Sequence, residues 1–148
     1  MRTKLRTKLV AALVALAAGA LLALFVSSGP AVAFFSGGLF LDVQVGSPAR
    51  LVARGAAVDV PLEVTCNATG TAFVSVSVTQ KSGSGVAQGS GSTQVGCTGS
   101  GQQVTVRVQA SGAKTFKQGP AVASAEIFGC RPNICGSETD SETITIQK

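Results

Sequence analysis

From Val58 to Cys66 every second residue is apolar, and the positions between them are polar except for Pro61. Val58, Val60, Leu62, Val64 and Cys66 fall on one side, and Asp59, Pro61, Glu63 and Thr65 on the other. A helix scatters such a row around its circumference, whereas a strand places all of it against one core, because successive side chains point to opposite faces. The pattern recurs. Ala72, Val74, Val76 and Val78 alternate with Phe73, Ser75, Ser77 and Thr79; Val104, Val106 and Val108 with Thr105, Arg107 and Gln109; Ile144 and Ile146 with Thr143, Thr145 and Gln147. Leu39, Leu41, Val43 and Val45 fit a first strand, Thr93, Val95 and Cys97 a short middle one, and Ala121 to Phe128 a less regular one. No apolar stripe of helical period follows residue 33. About seven strands at short spacing predict an all-β protein, an antiparallel sandwich.

The punctuation fits that reading. Ser82 to Gly91 is rich in Gly and Ser and is expected to be a loop or an irregular hairpin, Thr98 to Gly101 a tight connection, and Ser111 to Gly119 a separator between strands. Four cysteines lie among them. Three pairings are open in principle. Cys66 and Cys97 share the phase of inward Val rows, and Cys130 and Cys135 enclose only Arg131, Pro132, Asn133 and Ile134. Phase and proximity therefore predict the bonds 66–97 and 130–135. Four residues between Cys130 and Cys135 are not the two of a redox motif, so both bonds read as structural staples.

The amino terminus carries a different signal. Arg2, Lys4, Arg6 and Lys8 precede an apolar run from Leu9 to Val26, Ser27 to Pro30 break it, and Ala31, Val32 and Ala33 offer the small-x-small pattern of a signal-peptidase site. Residues 1–33 are expected to be a signal peptide, meeting the membrane only before cleavage, and residues 34–148 a single secreted domain. Export supplies the oxidising compartment in which an even set of cysteines closes. The net charge of +5 dissolves once it is divided by region, since from Phe34 onward Arg and Lys nearly balance Asp and Glu. A basic run or an aromatic-basic face for nucleic acid is missing.

A Cys at the end of an early strand, a Val-rich strand after it, the segment Phe116 to Ala121, and the late pair Cys130 and Cys135 ahead of Ile144 and Ile146 resemble small secreted actinobacterial proteins with an immunoglobulin-like sandwich. Most of those have no assigned function. The late short Cys loop, Gly136 and the final Ile-bearing strand are also similar to the neocarzinostatin group, whose sandwich holds an enediyne chromophore in a cleft. That group's other disulfide closes a short hairpin, whereas 66–97 spans a long loop. The resemblance implies an immunoglobulin-like fold and, as the alternative function, a small-ligand carrier with a pocket between the sheets.

The chain has no histidine, which removes the usual proton-transfer residue near neutral pH and the commonest zinc ligand type. A Ser nucleophile would have to rely on Lys81, Lys114 or Lys117, all in polar, loop-like stretches. Asp59 and Glu63 share the outward face of one strand, where solubility accounts for them. Glu138, Asp140 and Glu142 would line one side of an extended segment and could attract calcium, although a solvated, charge-protected approach to an edge strand explains them as well. Asn67, Ala68 and Thr69 form a glycosylation sequon. Phe34, Phe35, Leu39 and Phe40 form the candidate interaction patch, interrupted by Gly37 and Gly38. The expectation is a non-enzymatic module without cofactor or metal that binds an extracellular or cell-envelope partner.

Overall fold

The computed structural model describes residues 38–148. Eight strands run through them: β1 (Leu41–Val45), β2 (Ala49–Val52), β3 (Ala57–Cys66), β4 (Thr71–Ser82), β5 (Gly85–Gly96), β6 (Gln102–Ser111), β7 (Gly119–Arg131) and β8 (Ile134–Gln147). A single 3-10 turn, Ala53–Gly55, joins β2 to β3. The predicted signal peptide and Phe34 and Phe35 lie outside the described residues.

The all-β expectation holds, but the strands close into a seven-strand barrel, where the expectation is an immunoglobulin-like antiparallel sandwich. Around the ring the order is β3, β2, β8, β7, β4, β5, β6 and back to β3, with β1 added to the far half of β3. Two short pairings make the closure. β2 pairs in parallel with β8 at Ala49 and Arg50, and β5 pairs with β6 through Gln88, Gly89 and Ser90.

The second closure explains why the Gly- and Ser-rich stretch is not a loop. Only Gly83 and Ser84 form the turn, and from Gly85 the chain is paired strand. Ala87, Gly89 and Gly91 occupy the inward phase of β5, where a Cβ on Gly89 would collide with the carbonyl oxygen of Gln109, and one on Gly91 with that of Arg107. Glycine here permits a close approach of two backbones, which is how a sheet turns its corner.

Inside, the predicted rows meet. Val58, Val60, Leu62 and Val64 of β3 are fully buried against Val74, Val76 and Val78 of β4, Val106 and Val108 of β6, and Ile144 and Ile146 of β8. β7 adds Ala121, Ala123, Ala125 and Ile127, its small residues making room for the branched ones opposite. The separator after β6 is more than a connection, because its Phe116 is 1% exposed and is the largest fully buried side chain among the described residues. Phe116 N–H donates to the Gly55 carbonyl at 2.9 Å. Buried Gln80 latches the same loop, its Nε2 donating to the Lys117 carbonyl and its Oε1 accepting from Lys117 N–H, both at 2.8 Å.

Asp59 departs from the expectation of a solvated outward acid. Its phase is outward, yet it is 6% exposed. It stands directly opposite Arg50 on β2 and Arg107 on β6, so the three form one row across three strands. Arg107 donates from Nε at 2.7 Å and from Nη2 at 3.0 Å, and Arg50 donates from Nη2 at 2.9 Å. The Asp59 carboxyl is thereby lowered from 3.8 to about 2: the hydrogen bonds from Arg107 act most strongly, burial opposes them, and the bond from Arg50 and both positive charges complete the shift. Glu63 remains exposed, as expected.

Candidate functional site

Both predicted disulfides are present, and both lie at one end of the barrel. Cys66 at the end of β3 bonds Cys97 just beyond β5, and Cys130 bonds Cys135 across the β7–β8 hairpin. Backbone hydrogen bonds tie the β3–β4 connection into the same end. Thr69 N–H donates to the Cys130 carbonyl at 2.8 Å, Cys97 N–H to Gly70 at 3.0 Å, and Gly99 N–H to Cys66 at 2.9 Å. No cysteine of the chain is left free.

On the outer surface beside these staples, the register sets Phe73 of β4 directly opposite Phe128 of β7 and Gln94 of β5. The two rings are 46% and 48% exposed, an unusual position for a pair of phenylalanines facing each other on adjacent strands. Thr69, Thr71, Gln94, Gly129 and Cys130 complete a shallow cleft of about 230 Å³. The floor is aromatic and the rim carries two hydroxyls and an amide. Ile134, in the hairpin loop closed by Cys130 and Cys135, is also half-exposed.

Sequence reasoning did not single this pair out, although a signal was available. Phe73 falls on the polar phase of its strand, among Ser75, Ser77 and Thr79, and Phe128 on the outward phase of β7. An aromatic residue out of phase with the buried row is placed in solvent by its own register.

Of the predicted patch, Leu39 and Phe40 fall among the described residues. Leu39 packs against the core, and Phe40 is half-buried. Phe40 N–H donates to Asn67 Oδ1 at 2.7 Å, while Asn67 Nδ2 donates to the Gly38 carbonyl at 2.9 Å. The sequon asparagine therefore serves as a latch that holds the start of β1, with both ends of its amide engaged.

The acidic trio lies on the extended strand β8, as its alternation predicts. Asp140 Oδ2 accepts from Val45 N–H at 2.7 Å, and Glu138 and Glu142 are exposed. Asp140 thus joins β8 to the tip of β1, and among the described residues there is no group of three or more His, Cys, Asp or Glu arranged to hold a metal ion. A cavity of about 310 Å³ opens at this seam, lined by Gln44, Ser47, Asp140, Glu142 and Thr143 together with Val45 and Ile144. Its lining is mostly polar and it lies at the seam, unlike the apolar pocket between sheets that a carrier requires.

No family model matches the chain, and no curated protein matches it. Among solved structures, the chain is similar to the crystal structure of AggA, the major subunit of aggregative adherence fimbriae type I from Escherichia coli. The identity is 10% and the TM-score 0.40, over 76% of this chain and 96% of that one.

Proposed function

We propose that the protein is a secreted, non-catalytic docking module that binds a partner in the cell envelope or outside the cell through the Phe73–Phe128 cleft. One observation carries this reading: two half-exposed phenylalanines stand opposite each other at the end of the barrel that both disulfides brace. A braced aromatic pair loses little conformational freedom on binding, so more of its contact energy appears as affinity. Secretion is supported by the leader-like residues 1–33 and by a disulfide set that suits an oxidising compartment. The non-enzymatic reading rests on the lack of histidine in the whole chain.

The test is retention of the purified protein on envelopes of the organism that encodes it. Phe73→Ala and Phe128→Ala should each weaken retention about tenfold or more, the scale of a binding hot spot. Their thermal unfolding should stay close to that of the parent, because both rings are half in solvent already. Undiminished retention by the double variant would refute the assignment of the cleft.

A further inference from the structure

We propose that the ligand of this cleft is a neutral carbohydrate chain; the inference rests on the docking reading above and narrows it to a chemical class. The surface that continues away from the two phenylalanines is lined with hydroxyls. Register aligns the outward positions of β8, β7, β4 and β5 in rows, and the next two rows read Thr139, Glu126, Ser75, Ser92 and then Ser141, Ser124, Ser77, Ser90. Glu126 is the single charge in them, and none of their hydroxyls takes part in a hydrogen bond among the described residues. In a sheet, neighbouring outward positions lie roughly 4.8 Å apart across the strands and roughly 6.8 Å apart along them, so the rows form a regular array of positions.

Each hydroxyl can both donate and accept, which matches a sugar hydroxyl in either orientation, directly or through water. The phenylalanine rings offer negative faces to the weakly positive C–H groups on the apolar side of a sugar ring. Thr69, Thr71 and Gln94 on the rim supply the polar contacts that would fix that ring in place. The competing ligand classes fit less well. A nucleic acid or an acidic polymer needs cations, and these rows contain none. A protein partner favours an interface centre depleted in Ser and charge-poor but rich in aromatics, Met and Arg, whereas here Ser dominates around only two rings.

The experiment uses the full chain as its host processes it. Envelopes of the encoding organism are treated with periodate, which cleaves vicinal diols of sugars, or with protease, and retention is compared. Neutral and acidic oligosaccharides released from the same envelopes by mild acid are then titrated into the isotopically labelled protein and followed by NMR. Retention lost after periodate but kept after protease, with saturable shifts from the neutral fraction at Phe73, Gln94 and Phe128, is the expected result. Phe73→Leu, which keeps the apolar bulk and removes the aromatic face, should weaken the neutral fraction about tenfold. Retention that survives periodate and is lost after protease overturns the carbohydrate while leaving the docking reading intact. Shifts from the acidic fraction alone, or shifts outside the cleft, overturn it too. A parent protein that no envelope retains brings down both readings.

Discussion

Asp59→Asn isolates the one buried charge row of the barrel. In the parent, the carboxylate is lowered from 3.8 to about 2 by Arg107 and Arg50. At roughly 1 kcal/mol or a little more per pH unit, the full shift corresponds to about 2 kcal/mol. The arginine side chains are 60% and 66% exposed, so solvent screens part of that interaction and about 1 to 2 kcal/mol is the reasonable expectation. The same exposure means that both guanidinium groups hydrate when the carboxylate is removed, so no penalty for a buried unpaired charge is added. The sign follows from the direction of the shift. A depressed carboxylate contributes in full above its unfolded value of 3.8, and the contribution fades as pH falls from there through about 2. Urea unfolding of parent and variant without reductant, at pH 7, 5, 3 and 2, should show a difference of about 1 to 2 kcal/mol at the two higher values that falls below about 0.5 at the lowest. A difference that stays constant across this range, or a variant as stable as the parent at pH 7, would refute the assignment of Asp59 as the centre of the row.

Replacing Cys66 and Cys97 together by Ala should destabilise by about 3 to 4 kcal/mol, and replacing Cys130 and Cys135 by about 2, the difference following from loops of 31 and 5 residues; unfolding of the two double variants checks the order. Gly89→Ala and Gly91→Ala should each cost about 3 kcal/mol or prevent folding, because the new Cβ meets the backbone of β6. Gly96→Ala, on the same strand but facing open space, should stay within about 0.5 kcal/mol of the parent in the same thermal melt. Phe116→Ala should cost about 3 to 5 kcal/mol although it lies outside every strand, as judged by equilibrium unfolding.

What could be read from the sequence follows the chemistry of the inward rows. β3, β4 and β6 announce themselves because Val and Leu fill the inward phase, and the cysteine phase leads to the correct pairing. β5 is hidden because its inward phase is Ala87, Gly89 and Gly91. Those residues are selected by the nearness of β6, a tertiary demand, and a local reading registers them only as breakers. β8 is legible at Ile144 and Ile146 but begins at Ile134, because the acids on its inward phase lie beyond the covered part of the core. The burial of Asp59 is hidden from the sequence for a similar reason. Phase correctly places it outward, but only the register of β2 and β6 reveals that Arg50 and Arg107 lie over it. The sequence also contains the clue to the cleft, two phenylalanines on outward phases, yet their meeting depends on the pairing of β4 with β7.

Both staples lie at the end of the barrel that carries the cleft. The valine rows, Phe116 and the Asp59 row already secure the barrel through its body and at the end away from the disulfides. Both disulfides instead hold the segments around the cleft: one anchors the chain just after β5, beside Gln94, and the other closes the hairpin that follows Phe128. Thr69, which belongs to the connection between β3 and β4, is bonded to Cys130, so the rim moves with the hairpin. A surface that only had to remain soluble would gain nothing from bracing the backbone beneath two exposed aromatic rings. A surface that recognises a weakly interacting ligand gains affinity from it, because the backbone that carries the rings is held before binding and less ordering cost remains to be met. Opening the 130–135 bond should therefore weaken envelope retention by more than the accompanying loss of stability, a result that a purely structural disulfide would not produce.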